Sequence, residues 1–129
     1  MAQRPLSKID QLLLGVDKAL RAVVPHSNPS TRPLPVSSDE IPELSINEAR
    51  HVAGLMRINH TGEVCAQGLY HGQAFAAKND DVKQAMQQSA EEEVDHLVWC
   101  EVRLDELGSY TSIFTPLWYG MSFGLGAVA

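Results

Sequence analysis

Three residues carry most of the chemistry this sequence offers. Glu93 and His96 form a Glu-x-x-His within Ala90-Glu91-Glu92-Glu93-Val94-Asp95-His96. At a spacing of three they share one face of a helix. Glu63 stands upstream, in His60-Thr61-Gly62-Glu63-Val64-Cys65-Ala66. A carboxylate together with a carboxylate–histidine pair is the ligand pattern of a non-haem di-iron or di-manganese site inside a helix bundle. Such a site takes two copies of the pattern, and the sequence contains one.

The elements that must position these residues are helices. Ser7 to Val24 reads as an amphipathic helix. Ile9, Leu12, Leu13, Val16, Leu20 and Val23 recur at three- and four-residue spacing, with Lys8, Asp10, Asp17, Lys18 and Arg21 on the other side. Residues 25–44 follow as a linker or mobile loop: five prolines lie between Pro25 and Pro42, with no periodic pattern. Residues 45–129 are read as the first part of a helical di-iron domain. Ser45-Ile46-Asn47-Glu48 is a capping box, so a long helix starts near Ile46 and runs to Ala77 or Lys78. Asn79-Asp80-Asp81 makes a turn and caps the next helix, which runs from about Asp81 to Leu107 and ends at Gly108. Two long helices joined by so short a turn form an antiparallel hairpin. Thr115-Pro116 predicts a cap and a first-turn proline for another helix.

This hairpin brings the three residues to one height. Glu63 lies about 16 residues before the turn and Glu93 about 14 after it, which puts both roughly 20–25 Å from it at about 1.5 Å per residue. Both also fall in a core stripe. On the first long helix the predicted seam is Val52, Met56, Asn59, Glu63, Ala66, Tyr70 and Ala74; on the second it is Met86, Ala90, Glu93, Leu97, Cys100, Leu104 and Leu107. A carboxylate in a core stripe needs a partner, and a metal ion supplies one.

Plainer readings stand beside this one. Glu-x-x-His alone fits a solvated acidic run, and Glu91, Glu92 and Asp95 are read as solvated surface; Glu63 at matched height shifts the balance toward a metal. His60 reads as a partly buried polar residue, with ligation or support of a ligand as the alternative. Arg57 and Asn59 read as hydrogen-bond partners near the site, Tyr70 as a core aromatic, and His51 and His71 as surface residues. Gly62 costs its helix roughly 1 kcal/mol relative to Ala and either permits close helix contact or allows distortion beside the metal. Cys65 and Cys100 lie within helical patterns, not in a CxxC, and read as reduced core thiols.

Composition removes other classes. At 129 residues the chain holds one domain at most, and 44% hydrophobic residues suffice for a core. A formal charge of −6 without a dense basic stretch argues against a nucleic-acid partner. Asp10 and Asp17 bracket Leu12 to Val16, a run too short for a secretory signal, and no 20-residue apolar span exists. Leu117 to Ala129 is uncharged and apolar. Trp118, Tyr119, Met121, Phe123, Leu125 and Val128 go nearly all round the helix, so it is buried or touches a membrane. Gly120, Gly124 and Gly126 are expected to allow close helix packing.

The run Leu55-Met56-Arg57-Ile58-Asn59-His60-Thr61-Gly62-Glu63-Val64-Cys65-Ala66-Gln67, then Glu91-Glu92-Glu93-Val94-Asp95-His96-Leu97, Trp99-Cys100 and Thr115-Pro116-Leu117-Trp118-Tyr119, resembles the demethoxyubiquinone hydroxylase family of ubiquinone biosynthesis. The Arg-x-Asn-His-x-Gly-Glu run is specific; Glu-x-x-His is specific only beside it. The resemblance extends over almost all of the chain beyond the linker, and the N-terminal helix is similar to that of bacterial members.

That resemblance implies an all-α, ferritin-like bundle with a carboxylate-bridged di-iron centre. Glu63 would be a terminal ligand of one iron, Glu93 would bridge both, and His96 would bind the same iron as Glu63; no catalytic residue is expected beyond the metal ligands. The implied activity is oxygen-dependent monooxygenation of a demethoxyubiquinol ring, the penultimate step to ubiquinone. O2 would be co-substrate and a reduced nicotinamide nucleotide the electron source. The implied setting is peripheral, on the cytoplasmic face of the bacterial inner membrane. The chain resembles the N-terminal three-fifths of a bacterial member, so the C-terminal half of the bundle and the remaining ligands of the two iron ions are expected outside it. Alone it is expected to be inactive; a homo-oligomer pairing two hairpins is the second route to a full ligand set. Two rival classes remain: a ferritin-like iron-binding or storage protein, and a non-catalytic helical hairpin that self-associates.

Overall fold

The computed structural model describes residues 4–36 and 42–129; the remainder of the 25–44 linker lies outside the described residues. Four helices follow in order: α1 (Lys8–Val23), α2 (Ile46–Ala76), α3 (Asp80–Glu106) and α4 (Thr115–Val128). Among the described residues there is no strand. The architecture is an all-α helical bundle built on the α2–α3 hairpin, and it is compatible with a ferritin-like arrangement.

The helix ends follow local chemistry. Ser7 caps α1 through a reciprocal box with Asp10: the Asp10 N–H donates to Ser7 Oγ at 3.1 Å and the Ser7 N–H to Asp10 Oδ2 at 2.8 Å. Ser45 and Glu48 do the same for α2, at 3.2 and 3.4 Å. Asn79 Oδ1 accepts from the Asp81 N–H at 2.8 Å and starts α3. At the end of α3, Gly108 has φ +64°. Its N–H reaches the Asp105 carbonyl at 3.0 Å and the Ser109 N–H reaches the Leu104 carbonyl at 2.9 Å, the paired bonds of a Schellman turn. Thr115 lies one position inside α4 and does not cap it; Phe114 holds the cap position without a side-chain bond.

Packing departs from the predicted seams more on α2 than on α3. On α3 three of the four buried apolar residues, Ala90, Leu97 and Leu104, belong to the predicted stripe; the fourth, Val98, lies beside it. On α2 the buried set is Ala53, His60, Val64, Gln67, Gly68, Gly72 and Ala74, while Met56, Glu63 and Tyr70 are half-buried and Asn59 is exposed. The helix is turned by about one residue from the predicted face. The cause is α4, which runs beside α2 in the same direction. A Cβ on Gly68 would meet the Tyr119 carbonyl at 2.7 Å, and Cβ atoms on Gly72 and Gly126 would collide with the carbonyls of Phe123 and Leu69. Gly68 and Gly72 on α2 thus face Ser122 and Gly126 on α4 in small-xxx-small register. Of the three glycines predicted to pack closely in α4, only Gly126 does so; Gly120, Gly124 and also Gly62 have nothing near them.

Val64, Leu97, Tyr119 and Ala22 form the centre of the core, with Ala19, Val23 and Phe123 against it. Helix α1 therefore docks through Ala19, Ala22 and Val23 near its C-terminal end. Its predicted apolar stripe of Ile9, Leu12, Leu13 and Leu20 is exposed. No helix among the described residues is long and apolar enough to cross a membrane.

Candidate metal centre

Helices α2 and α3 bring Glu63, Glu93 and His96 together: one oxygen or nitrogen from each lies within 4.8 Å of the others. All three side chains are half-buried. His96 Nδ1 lies 2.7 Å from Glu93 Oε2. Register between the two helices is held one turn away, where Gln67 Nε2 donates to the Ala90 carbonyl at 2.6 Å in a buried bond. Burial, followed by the facing Glu93 carboxylate, pushes the Glu63 carboxyl above its ordinary range; His96 and His60 act weakly the other way. Two carboxylates that face each other in a half-buried cleft repel when both are ionised. A cation between them would relieve that repulsion, so the donor set fits a metal.

The neighbouring acidic residue behaves differently. Asp95, expected on the solvated face, is 4% exposed. Its carboxylate accepts from the Thr31 N–H at 2.7 Å, Thr31 Oγ1 at 2.9 Å, Ser30 Oγ at 3.2 Å and Arg32 Nε at 2.7 Å. The Arg32 guanidinium and these donors hold its carboxyl well below the usual carboxylate range. These partners come from the segment read as a mobile linker, which here is strapped across α3. Helical periodicity on α3 cannot reveal partners that arrive from a distant irregular segment. Glu91 and Glu92 are exposed, as expected.

The strap is fastened a second time. The His26 N–H donates to Glu101 Oε2 at 3.0 Å, and His26 Nε2 pairs with Asp105 at 2.6 Å. Glu101 is 3% exposed and its other oxygen faces His60 Nε2 at 3.4 Å. His60 is thus a buried residue supporting the core, 1% exposed, and not part of the Glu63, Glu93 and His96 cluster. His60 and His26 reach Glu101 and Asp105 from other elements, so no sequence spacing on α3 reveals these pairs.

Three more sequence readings change. Arg57 does not reach the site: its Nε and Nη2 donate to the Tyr110 carbonyl and to Ser109 Oγ, at 2.9 and 2.6 Å, and so bind the α3–α4 turn. Asn59 is exposed. His71 is no surface residue: its Nδ1 meets the Tyr119 hydroxyl at 2.6 Å across α2 and α4, and burial lowers its pKa to about 4. The cysteines are free and half-buried, and burial raises the Cys100 thiol to about 11, with Glu63 and Glu101 adding to it.

Residues 50–129 match the family described as Ubiquinone biosynthesis protein COQ7. The whole chain is 91% identical to a 3-demethoxyubiquinol 3-hydroxylase of Psychrobacter arcticus and covers 60% of that protein. Over 98% of the chain it is 58% identical to a protein of the same name from Pseudomonas fluorescens, covering 59% of it. No solved structure matches. The chain thus spans about three-fifths of the length of these relatives, and on this evidence it belongs to the COQ7 family of ubiquinone biosynthesis proteins.

Proposed function

We propose that this chain supplies one half of a di-iron centre that hydroxylates a demethoxyubiquinol. The observation that carries this is the convergence of Glu63, Glu93 and His96 from two helices within 4.8 Å. In this reading Glu63, Glu93 and His96 would hold the iron, with Glu93 shared between the two ions of the centre. Bound iron would supply activation of O2 for insertion of one oxygen atom into the quinol ring, with two electrons from a reduced nicotinamide nucleotide. The chain's own residues supply the ligands and fix their register through Gln67 and Ala90. The other half of the ligand set would come from residues outside this chain or from a second copy. The name borne by the relatives supports this substrate.

The exposed face of α4 supports peripheral attachment to the membrane that holds a long-tailed quinone. Leu117, Trp118, Met121 and Leu125 lie exposed along it, an apolar surface with an aromatic residue suited to the lipid interface. In a bacterium this would be the cytoplasmic face of the inner membrane.

The test is complementation. A bacterial strain without its own 3-demethoxyubiquinol 3-hydroxylase receives this chain followed by the C-terminal two-fifths of the Psychrobacter arcticus relative. Ubiquinone should reappear by mass spectrometry, and Glu63→Ala or His96→Ala in the same protein should abolish it. Full ubiquinone with either variant would overturn the assignment. Iron uptake without ubiquinone would favour a storage role.

A further inference from the structure

One residue packed against His96, Trp99, is itself covered from outside the segment that matches the family. The Trp99 ring lies 5.2 Å from the His96 ring, between centroids, at an interplanar angle of 48°. On Trp99 rests the Arg32 guanidinium, 5.2 Å from the ring centroid. Arg32 is not free to swing away: Nε donates to Asp95 at 2.7 Å and Nη2 to the Glu92 carbonyl at 3.3 Å. Thr31 and Ser30 complete the same carboxylate. One strap of three consecutive residues therefore grips Asp95, reaches the Glu92 carbonyl and covers Trp99 on α3. A planar guanidinium suits this double task, since it can hydrogen-bond in its plane and stack on an aromatic face.

We infer that the Ser30–Arg32 strap is a positioning device for the metal ligand His96, acting through the Arg32–Trp99 stack. The inference rests on the proposed ligand role of His96 and deepens it. An imidazole paired on one edge to Glu93 still has rotational freedom about its side chain, and a ring packed on its flank removes that freedom. Partners of this kind tune metal affinity by fixing ligand orientation. The strap lies outside residues 50–129, the part that matches the family. The N-terminal segment thereby acquires a role at the site.

The probe is Co(II), titrated into the full 129-residue chain and followed by its visible ligand-field bands. Arg32→Ala and Trp99→Leu should each weaken Co(II) binding roughly tenfold and should alter the spectrum at saturating Co(II). Arg32→Lys keeps a positive charge near Asp95 without the planar stack and should fall between Arg32→Ala and the parent. His26→Ala loosens the strap only at Asp105 and should give the parent's spectrum. A saturated spectrum is not moved by lower stability alone. If Arg32→Ala fails to fold, Arg32→Lys and Trp99→Leu decide. Parent-like affinity and spectrum in these variants, with binding lost in His96→Ala, would overturn the positioning role and leave the ligand set standing. Parent-like binding in His96→Ala would overturn both.

Discussion

Two acidic sites share one turn of α3 and have opposite characters. Asp95 is buried and meets four donor groups, so its charge is fully answered by the protein. Glu93 lies two residues earlier, faces Glu63, another carboxylate, and has His96 Nδ1 at 2.7 Å. The pKa of Asp95 moves down and that of Glu63 moves up. A carboxylate that the fold has satisfied is a structural element. A pair of carboxylates that the fold leaves facing each other is relieved by a bound proton or by a cation.

This contrast can be broken in several ways, and the largest effect is expected on the metal side. Glu63→Ala or His96→Ala should lower Fe(II) affinity by about 100-fold or more, since each removes a ligand rather than a support. The metal-free protein should melt no lower in Glu63→Gln than in the parent. Anaerobic calorimetry with Fe(II) and thermal melts read the two halves of this expectation. Asp95→Ala should reverse the pattern, lowering the melting temperature by several degrees (~5 °C or more) because four donors lose their acceptor together. Equal melting of the parent and Asp95→Ala would remove the distinction between the two sites.

A third effect comes from the α2–α4 contact. Gly72→Ala places a methyl against the Phe123 carbonyl and should cost about 1–3 kcal/mol. Gly62, exposed and with nothing near its missing Cβ, gives the opposite result: Gly62→Ala should stabilise by roughly 0.5–1 kcal/mol. Urea unfolding measures both. A loss on Gly62→Ala would mean that this glycine is needed for the metal-bound state.

The pH dependence sharpens the same comparison with smaller shifts. Asp95 is depressed in the folded state, so its stabilisation is present above the unfolded carboxylate pKa and is lost as pH falls below about 4. Glu63 is raised, so the folded state binds its proton more tightly than the unfolded chain does. Metal-free stability from this group falls as pH rises from the unfolded value of 4.5 through the raised folded one. The stability difference between Glu63→Gln and the parent should therefore widen on going from pH 4.5 to neutrality. A difference that does not change with pH would contradict the facing-carboxylate geometry.

Much of this contrast is legible in the sequence, but unevenly. Ser7, Ser45, Asn79 and Gly108 mark helix ends through bonds made within a few residues, and local chemistry is what a sequence records best. Glu63, Glu93 and His96 were found because a short turn fixes two helices in antiparallel register. Asp95 and His71 read as surface because their partners arrive from the strap and from α4. The rotation of α2 was hidden for a related reason: Gly68 and Gly72 reveal their role only once Ser122 and Gly126 lie against them. Of the apolar stripe of α1 only Val23 reaches the core, together with Ala19 and Ala22; Ile9, Leu12, Leu13, Val16 and Leu20 stay exposed.

The most direct test is anomalous diffraction at the iron edge from crystals of this chain grown with Fe(II). The account predicts an iron peak within bonding distance, about 2.0–2.2 Å for carboxylate and imidazole ligands, of Glu63, Glu93 and His96, with Asp95 still gripped by Ser30, Thr31 and Arg32. Iron bound at Asp95 or Glu101, or no iron near Glu63, would contradict it.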